Sequence, residues 1–457
     1  MLNPAPSSSG PGALELLRSL PNLRDDPLAF LQHAAERYGE LVAFKLGPWN
    51  AFLLTRPADI QRVLQDNSRN YTKDTLQYNA LAEVTGRGLL TSDGEHWLRQ
   101  RRRLQPAFHR QRMPEYGALM VSAALHRVEA WLQAGGAFID LDREMMELAL
   151  EILGQALLGI DLRAQAPQLT AAVMAALDHV VRGVKSPALL PAFIPTREQR
   201  RFQRALRALD AAAQEIIQAN RHPAGGAGEA RGALLDALLC PADGEPALSD
   251  RQARDELVTM LIAGHETVAS ALTWTGYLLA QNPPVEARLR RELDAVLAGR
   301  TPTADDLPAL DFTRRVFDEA LRLYPPAWLV TRKNLQADTL SGVRIPPGSL
   351  VVIAIAAVQR SPAFWPDPLR FDPDRFLPEA VAARPRFAYL PFGGGPRLCI
   401  GAPFALTEAP LVLATLYQRL HFALDPGHTV TVDPLVTLRP RGGLPVRVSE
   451  IGTGWTG

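Results

Sequence analysis

Only two cysteines, Cys240 and Cys399, occur in 457 residues, far too few for a disulfide framework in a chain of this size. A reducing compartment is expected, and any thiol chemistry falls on single side chains. Charge of one sign is lacking as well: 49 basic residues face 48 acidic ones, for a formal net charge of +1. That balance removes a global case for nucleic acid or for an anionic membrane surface. Lysine is scarce, since only Lys45, Lys73, Lys185 and Lys333 carry an ammonium group. Long apolar runs are missing too. The most apolar stretches, 350–358 and 268–280, fall short of the roughly 18 to 20 residues that span a bilayer, and residues 1–12 lack the basic and apolar regions of a secretory signal. The expectation is a soluble cytoplasmic protein without a transmembrane segment. No polar or low-complexity linker interrupts a composition that is 47% hydrophobic and 21% charged, which favours one large folded unit over residues 1–457, with a flexible leader to residue 24 and a tail from 448.

The chain reads as mainly α with a minor β region. Two short apolar runs, 41–46 and 51–54, flank Gly47 and Pro48 and suggest a hairpin, and Pro57 sits where a helix would start. Residues 95–330 are rich in Ala, Leu, Arg and Glu at helical spacing, with breaks at 187–195 and 221–232. Afterwards β-branched runs return at 350–355 and 429–432, and Gly442 with Gly443 suggests a second hairpin. A small sheet drawn from both ends of the chain is expected.

What the sequence does possess centres on 392–401, FGGGPRLCIG. Gly393, Gly394 and Gly395 permit a tight turn with positive φ, and Pro396 stiffens its exit. Residues 401–420 have helical spacing, so the Cys399 sulfur is expected near a helix N-terminus, whose NH groups favour an anion. Gly401, lacking a Cβ, lets that helix approach a flat ligand. A lone cysteine is more often an inert buried thiol, and Cys240 is expected to be structural. Residues 261–267, LIAGHET, place a glycine and a threonine inside an apolar helix, at up to about 1 kcal/mol each against alanine. Either Gly264 lets the helix widen beside a ligand that Thr267 meets, or the threonine bonds its own backbone. His265 is expected on another face. Glu319 and Arg322 have ion-pair spacing, which contributes little on a surface. Trp97 and Arg101 share one helical face.

Phe392, Gly395, Arg397, Cys399 and Gly401, continued by Phe404, Ala405 and Glu408, resemble the haem-binding signature of the cytochromes P-450. The other motifs follow in that family's order, so the resemblance extends from about Asp25 to Arg447. It implies the cytochrome P-450 fold, a helical haem-binding core plus small antiparallel sheets, holding haem b with Cys399 as the proximal iron ligand. By the same resemblance Trp97, Arg101, Arg332 and Arg397 meet the propionates, and Phe392, Gly401 and Ala263 contact the macrocycle. Glu319, Arg322 and Arg375 become a buried structural network. Glu266 and Thr267 become the catalytic acid and alcohol that supply protons during dioxygen activation.

The implied activity is insertion of one atom of O2 into a C–H bond of a hydrophobic substrate. Residues 77–91, 261–274, 319–332 and 436–446 resemble a thermophilic bacterial β-carotene hydroxylase of the family, which makes a carotenoid ring the expected substrate and a fatty acid or other terpenoid the alternative. Residues 76–81, with Leu76, Gln77 and Leu81, and residues 187–194 match the family's variable lids, while Ala327, Trp328 and Leu329 follow the helix of Glu319 and Arg322 toward the pocket. Two cysteines cannot hold an iron–sulfur cluster, so electrons from NAD(P)H are expected through an external ferredoxin and ferredoxin reductase. Arg99, Arg101, Arg102, Arg103, Arg110 and Arg112 would steer the acidic partner, unless they are simply a solvated face. A partner-independent peroxygenase and a non-catalytic haem sensor or carrier are the rival readings; the Glu266–Thr267 pair speaks against both.

Overall fold

The computed structural model describes residues 10–46, 49–136, 138–185, 196–221, 231–241 and 244–451. The order begins with α1 (Ala13–Asp25), α2 (Pro27–Tyr38), the strands β1 (Leu41–Leu46) and β2 (Trp49–Leu54), α3 (Pro57–Gln61), β3 (Tyr71–Thr72) and α4 (Leu76–Thr85). A helical stretch follows: α5 (Gly94–Leu104), α6 (Met113–Gln133), the short β4 (Phe138–Asp140), α7 (Leu141–Leu153), α8 (Ala166–Lys185), α9 (Arg197–Arg221), α10 (Ala233–Leu239), α11 (Asp250–Gln281), α12 (Pro283–Leu297) and α13 (Asp311–Leu323). The last third contains β5 (Val330–Asn334), β6 (Asp338–Leu340), β7 (Val343–Ile345), β8 (Leu350–Ile353), α14 (Ile355–Val358), α15 (Pro378–Ala383), α16 (Ala402–Tyr417), β9 (Leu420–Leu424), β10 (Val432–Pro434), β11 (Leu438–Pro440) and β12 (Pro445–Glu450).

The largest sheet joins the two ends of the chain in the order β1-β2-β8-β5-β3. The expected small antiparallel sheets are present, and the large sheet adds one parallel pair, β2–β8, with Ala51 opposite Leu350 and Leu54 opposite Ile353. The intervening helices supply the long crossover that a parallel pair needs. Gly442 and Gly443 take positive φ of +80° and +87° but do not close the expected hairpin. Instead β11 turns back on β10, whereas β12 pairs with β4 and β9. Of the run 429–432 only Val432 enters a strand. The leader is likewise more ordered than expected: it is helical from Ala13, and Leu16 is buried with Leu31, Val42 and Phe44. At the other end β12 carries the chain to Glu450. The expected break at 187–195, and with it the expected lid at 187–194, lies outside the described residues.

The element that positions the site is α11. Ser249 and Gln252 close its first turn as a reciprocal capping box, satisfying NH groups that the helix cannot. Both glycines of the helix face α7: a Cβ on Gly264 would stand 2.4 Å from Leu153 Cδ1, and one on Gly276 would stand 2.7 Å from Leu141 Cδ2. Glycine therefore buys close helix packing at both ends of α7. Among the described residues, no helix is long and apolar enough to cross a membrane.

Candidate active site

Cys399 sits in a cradle that its neighbours shape. Gly393 and Gly395 have φ of +73° and +65°, a region that L side chains avoid. Gly394 departs from the expected pattern, since its backbone is extended; its lack of a Cβ instead spares a 2.5 Å contact with Phe387 Cε1. A Cβ on Gly395 would lie 1.9 Å from the Leu64 carbonyl oxygen. The Cys399 amide then donates to the Phe392 carbonyl at 3.0 Å, and α16 begins at Ala402. Cys399 is open to the adjoining cavity although protein surrounds it. Burial pushes its thiol up, while the Gly401 amide, Arg101, the Ala402 amide and Lys73 pull it down. The net effect is a raised thiol pKa, and a coordinated cation would be what draws off the proton.

The same cavity is walled by α11 at Ala263, Gly264, Thr267 and Val268. That helix stays regular through this turn, so the local widening expected at Gly264 is not seen, and the contact with Leu153 accounts for the glycine. The Thr267 hydroxyl donates to the Ala263 carbonyl at 2.7 Å, the self-bonding alternative, while the side chain lines the cavity. Glu266 is placed elsewhere. It is buried beside the β10–β11 turn, its Oε1 accepts from Thr437 Oγ1 at 3.0 Å, and it is not among the cavity-lining residues. Burial pushes its carboxyl up to about 7, against the pull of Arg439 and Thr437. His265 is turned from the cavity as expected: Nδ1 donates to the Leu261 carbonyl at 2.6 Å, and burial lowers its pKa to about 4.

At another side of the cavity four cations converge. Lys73, Arg101, Arg332 and Arg397 all line it, together with Trp97 and Tyr78. Arg397 donates to the Asp93 carboxylate and, at 2.8 Å, to the Ser92 carbonyl, with its guanidinium 3.9 Å from the centre of the Trp97 ring. Arg101 donates to the Leu398 carbonyl at 2.7 Å. Arg332 reaches the Tyr78 hydroxyl at 3.2 Å and the Thr331 carbonyl at 2.8 Å. Lys73 donates to the Leu90 carbonyl at 2.6 Å. Burial, then Arg332 and Arg397, drives the Lys73 ammonium well below its ordinary value, and burial brings Arg397 down to about 10. Crowded cations in a low dielectric attract anions. An apolar macrocycle with a central metal and carboxylate arms fits this cavity: thiol for the metal, α11 for the ring, cations for the arms. Phe392, Gly401 and Phe404 complete the wall beside the thiol. Lys73, Tyr78 and Asp93 escaped the sequence reading; only the rarity of lysine marked the first.

Glu319, Arg322 and Arg375 lie together. Arg322 Nε and Nη2 donate to Glu319 at 2.6 and 2.8 Å, both side chains fully buried. Three carbonyls, of Gln359, Pro368 and Arg370, take further Arg322 protons, and Arg375 Nε lies 3.4 Å from Glu319. Cys240 is half-buried, its sulfur accepting from Arg231 at 3.3 Å.

The expected substrate contacts fare differently. Ala327 lines the cavity. Trp328 does not, because its Nε1 donates to the Leu435 carbonyl at 2.9 Å. Leu329 packs beside it in the core under the large sheet. Leu76 is exposed and Leu81 is buried in the main core, while Gln77 accepts from Thr331 at 2.8 Å. Leu89, Leu90, Met260 and Val330 line the cavity instead. In the basic run, Arg99, Arg102, Arg110 and Arg112 are exposed. Arg101 and Arg103 are not free for a partner, the latter donating to the carbonyls of Ala237, Cys240 and Pro246.

Comparison with known proteins adds to this geometry. The family model described as Cytochrome P450 matches residues 8–443. Cyclooctatin synthase of Streptomyces melanosporofaciens is 39% identical over 434 residues, covering 94% of this chain and 92% of that protein. Pentalenene oxygenase of Streptomyces avermitilis is 35% identical over 436 residues, covering 94% and 95%. Protein LUTEIN DEFICIENT 5 of Arabidopsis thaliana is 32% identical over 442 residues, covering 90% and 72%.

Proposed function

The chain belongs to the cytochrome P450 family and is a monooxygenase, and from that premise we propose that Cys399 ligates a haem iron and that the substrate is a hydrophobic terpenoid. The observation that carries this reading is the Cys399 thiol, open to a cavity that Thr267 also lines. Haem, when bound, supplies the activation of dioxygen. Arg101, Arg332, Arg397 and Lys73 orient the carboxylate arms, and Ala263, Phe392 and Gly401 contact the ring. Glu319, Arg322 and Arg375 stiffen the core beneath.

Proton supply falls to Glu266 and Thr267. Glu266, with a pKa raised to about 7, holds a proton near neutral pH, and leaving Thr437 frees it to pass that proton toward the Thr267 hydroxyl at the cavity wall. Electrons come from a ferredoxin and its reductase, the exposed Arg99, Arg102, Arg110 and Arg112 attracting an acidic surface.

The names of the two Streptomyces relatives support a terpenoid substrate. A carotenoid, itself a terpenoid, is the narrower reading, supported by the likeness to LUTEIN DEFICIENT 5. The test follows the haem spin state while a cyclic terpene hydrocarbon, β-carotene or a long-chain fatty acid is added. A shift to high spin with the terpene or β-carotene alone is the expected result; a shift with fatty acid alone contradicts it.

A further inference from the structure

Residues 87–90 form a stretch of irregular backbone against α11, where each NH needs a partner. Consecutive carboxylates of the helix take two of these NH groups. The Arg87 amide donates to Asp255 Oδ2 at 3.0 Å, and the Leu89 amide donates to Glu256 Oε2 at 2.9 Å. Between these two bonds the chain lies so close to the helix that a Cβ on Gly88 would stand 2.1 Å from Thr259 Oγ1 and 2.8 Å from the Asp255 carbonyl oxygen. From the other side Lys73 Nζ holds the Leu90 carbonyl at 2.6 Å. Leu89 and Leu90 line the cavity, while Glu256 stands behind them, 1% exposed, with Oε1 unbonded.

We propose that Glu256 is a positioning residue for ligand specificity, fixing the Leu89–Leu90 wall, and with it the width of the cavity, through its bond to the Leu89 amide. The inference rests on reading the cavity as a haem and substrate pocket. Glu256 does not itself line the cavity. Its effect passes through two leucines whose backbone is clamped between a carboxyl and an ammonium group. Burial raises its pKa to about 8, so near neutral pH it acts as an uncharged acceptor that glutamine can replace.

The test titrates the holoenzyme with imidazole and with 4-phenylimidazole, following the Soret shift as each binds the iron. Imidazole is too small to press on the wall; the phenyl ring is not. Glu256→Gln keeps an acceptor and is expected to leave the ratio of the two dissociation constants within about twofold of the wild type. Glu256→Leu removes the acceptor, and Gly88→Ala drives the segment off α11 without altering Glu256. Both are expected to weaken 4-phenylimidazole relative to imidazole by about fivefold or more, the equivalent of about 1 kcal/mol for one lost hydrogen bond. An unchanged ratio in Gly88→Ala and Glu256→Leu, or an equal change in Glu256→Gln, overturns the proposal. If Glu256→Leu does not fold, Gly88→Ala decides. Failure of the haem-pocket reading is distinct: neither ligand would then shift the wild-type spectrum.

Discussion

Glu266 and Thr437 are joined by a hydrogen bond of 3.0 Å that keeps the carboxyl beside the β10–β11 turn while Thr267, the next residue, lines the cavity. The acid and the alcohol are adjacent in sequence yet look into different surroundings. If Glu266 supplies protons, it does so as an acid, and burial pushes its pKa up to about 7. Product formation is therefore expected to fall as pH rises above about 7. Glu266→Gln should lower the rate about a hundredfold, the scale of general acid catalysis, and flatten that alkaline limb. A pH–rate profile with saturating electron donor checks both.

The Glu319–Arg322 pair is fully buried, so removing one partner leaves a charge in the core. Glu319→Ala is expected to lose about 3 to 5 kcal/mol of stability. Arg375→Ala should lose less, because Arg375 retains some solvent and its Nε lies 3.4 Å from Glu319. Urea unfolding of the two variants compares them.

Where local backbone demands decide the structure, the sequence could be read directly. Gly393 and Gly395 of the FGGGPRLCIG turn and the paired Glu319 and Arg322 lie where the spacing put them, because glycine at positive φ and i,i+3 contact are short-range facts, whereas Gly394 is extended and answers to Phe387. Contacts between distant segments were not legible. Lys73 reaches Leu90, and Glu256 holds Leu89 from the far end of the chain's middle; no local pattern marks either. Trp328 was expected at the substrate because it follows the helix of Glu319, but its indole NH finds the Leu435 carbonyl, a partner supplied only by tertiary packing. Gly264 illustrates the same limit: the sequence shows that a side chain is unwanted, and only the fold shows that Leu153 is the reason.

Arg332 is buried and lines the cavity beside Lys73 and Arg397. Replacing it by methionine keeps much of its volume and removes one charged donor. A charge-assisted hydrogen bond contributes about 1.5 to 3 kcal/mol, so haem is expected to pass from Arg332→Met to apomyoglobin at least about tenfold faster than from the wild type.

Glu256 links pH to stability. Burial raises its folded pKa from 4.5 to about 8, so between those values the folded protein binds a proton that the unfolded chain has released. Stability from this group is full below pH 4.5 and is lost as pH rises toward 8. Glu256→Gln has no proton to lose. Its thermal midpoint should therefore decline less than that of the wild type between about pH 5 and pH 8, the span of that window.

The most direct test of the account is the absorption of the ferrous protein under carbon monoxide, compared between the wild type and Cys399→Ala after both are supplied with haem. A red-shifted Soret band is expected in the wild type and lost in the variant, since the Cys399 thiolate would supply the electron donation behind the shift. Absence of the band in folded, haem-loaded wild type, or its persistence without the Cys399 sulfur, contradicts it.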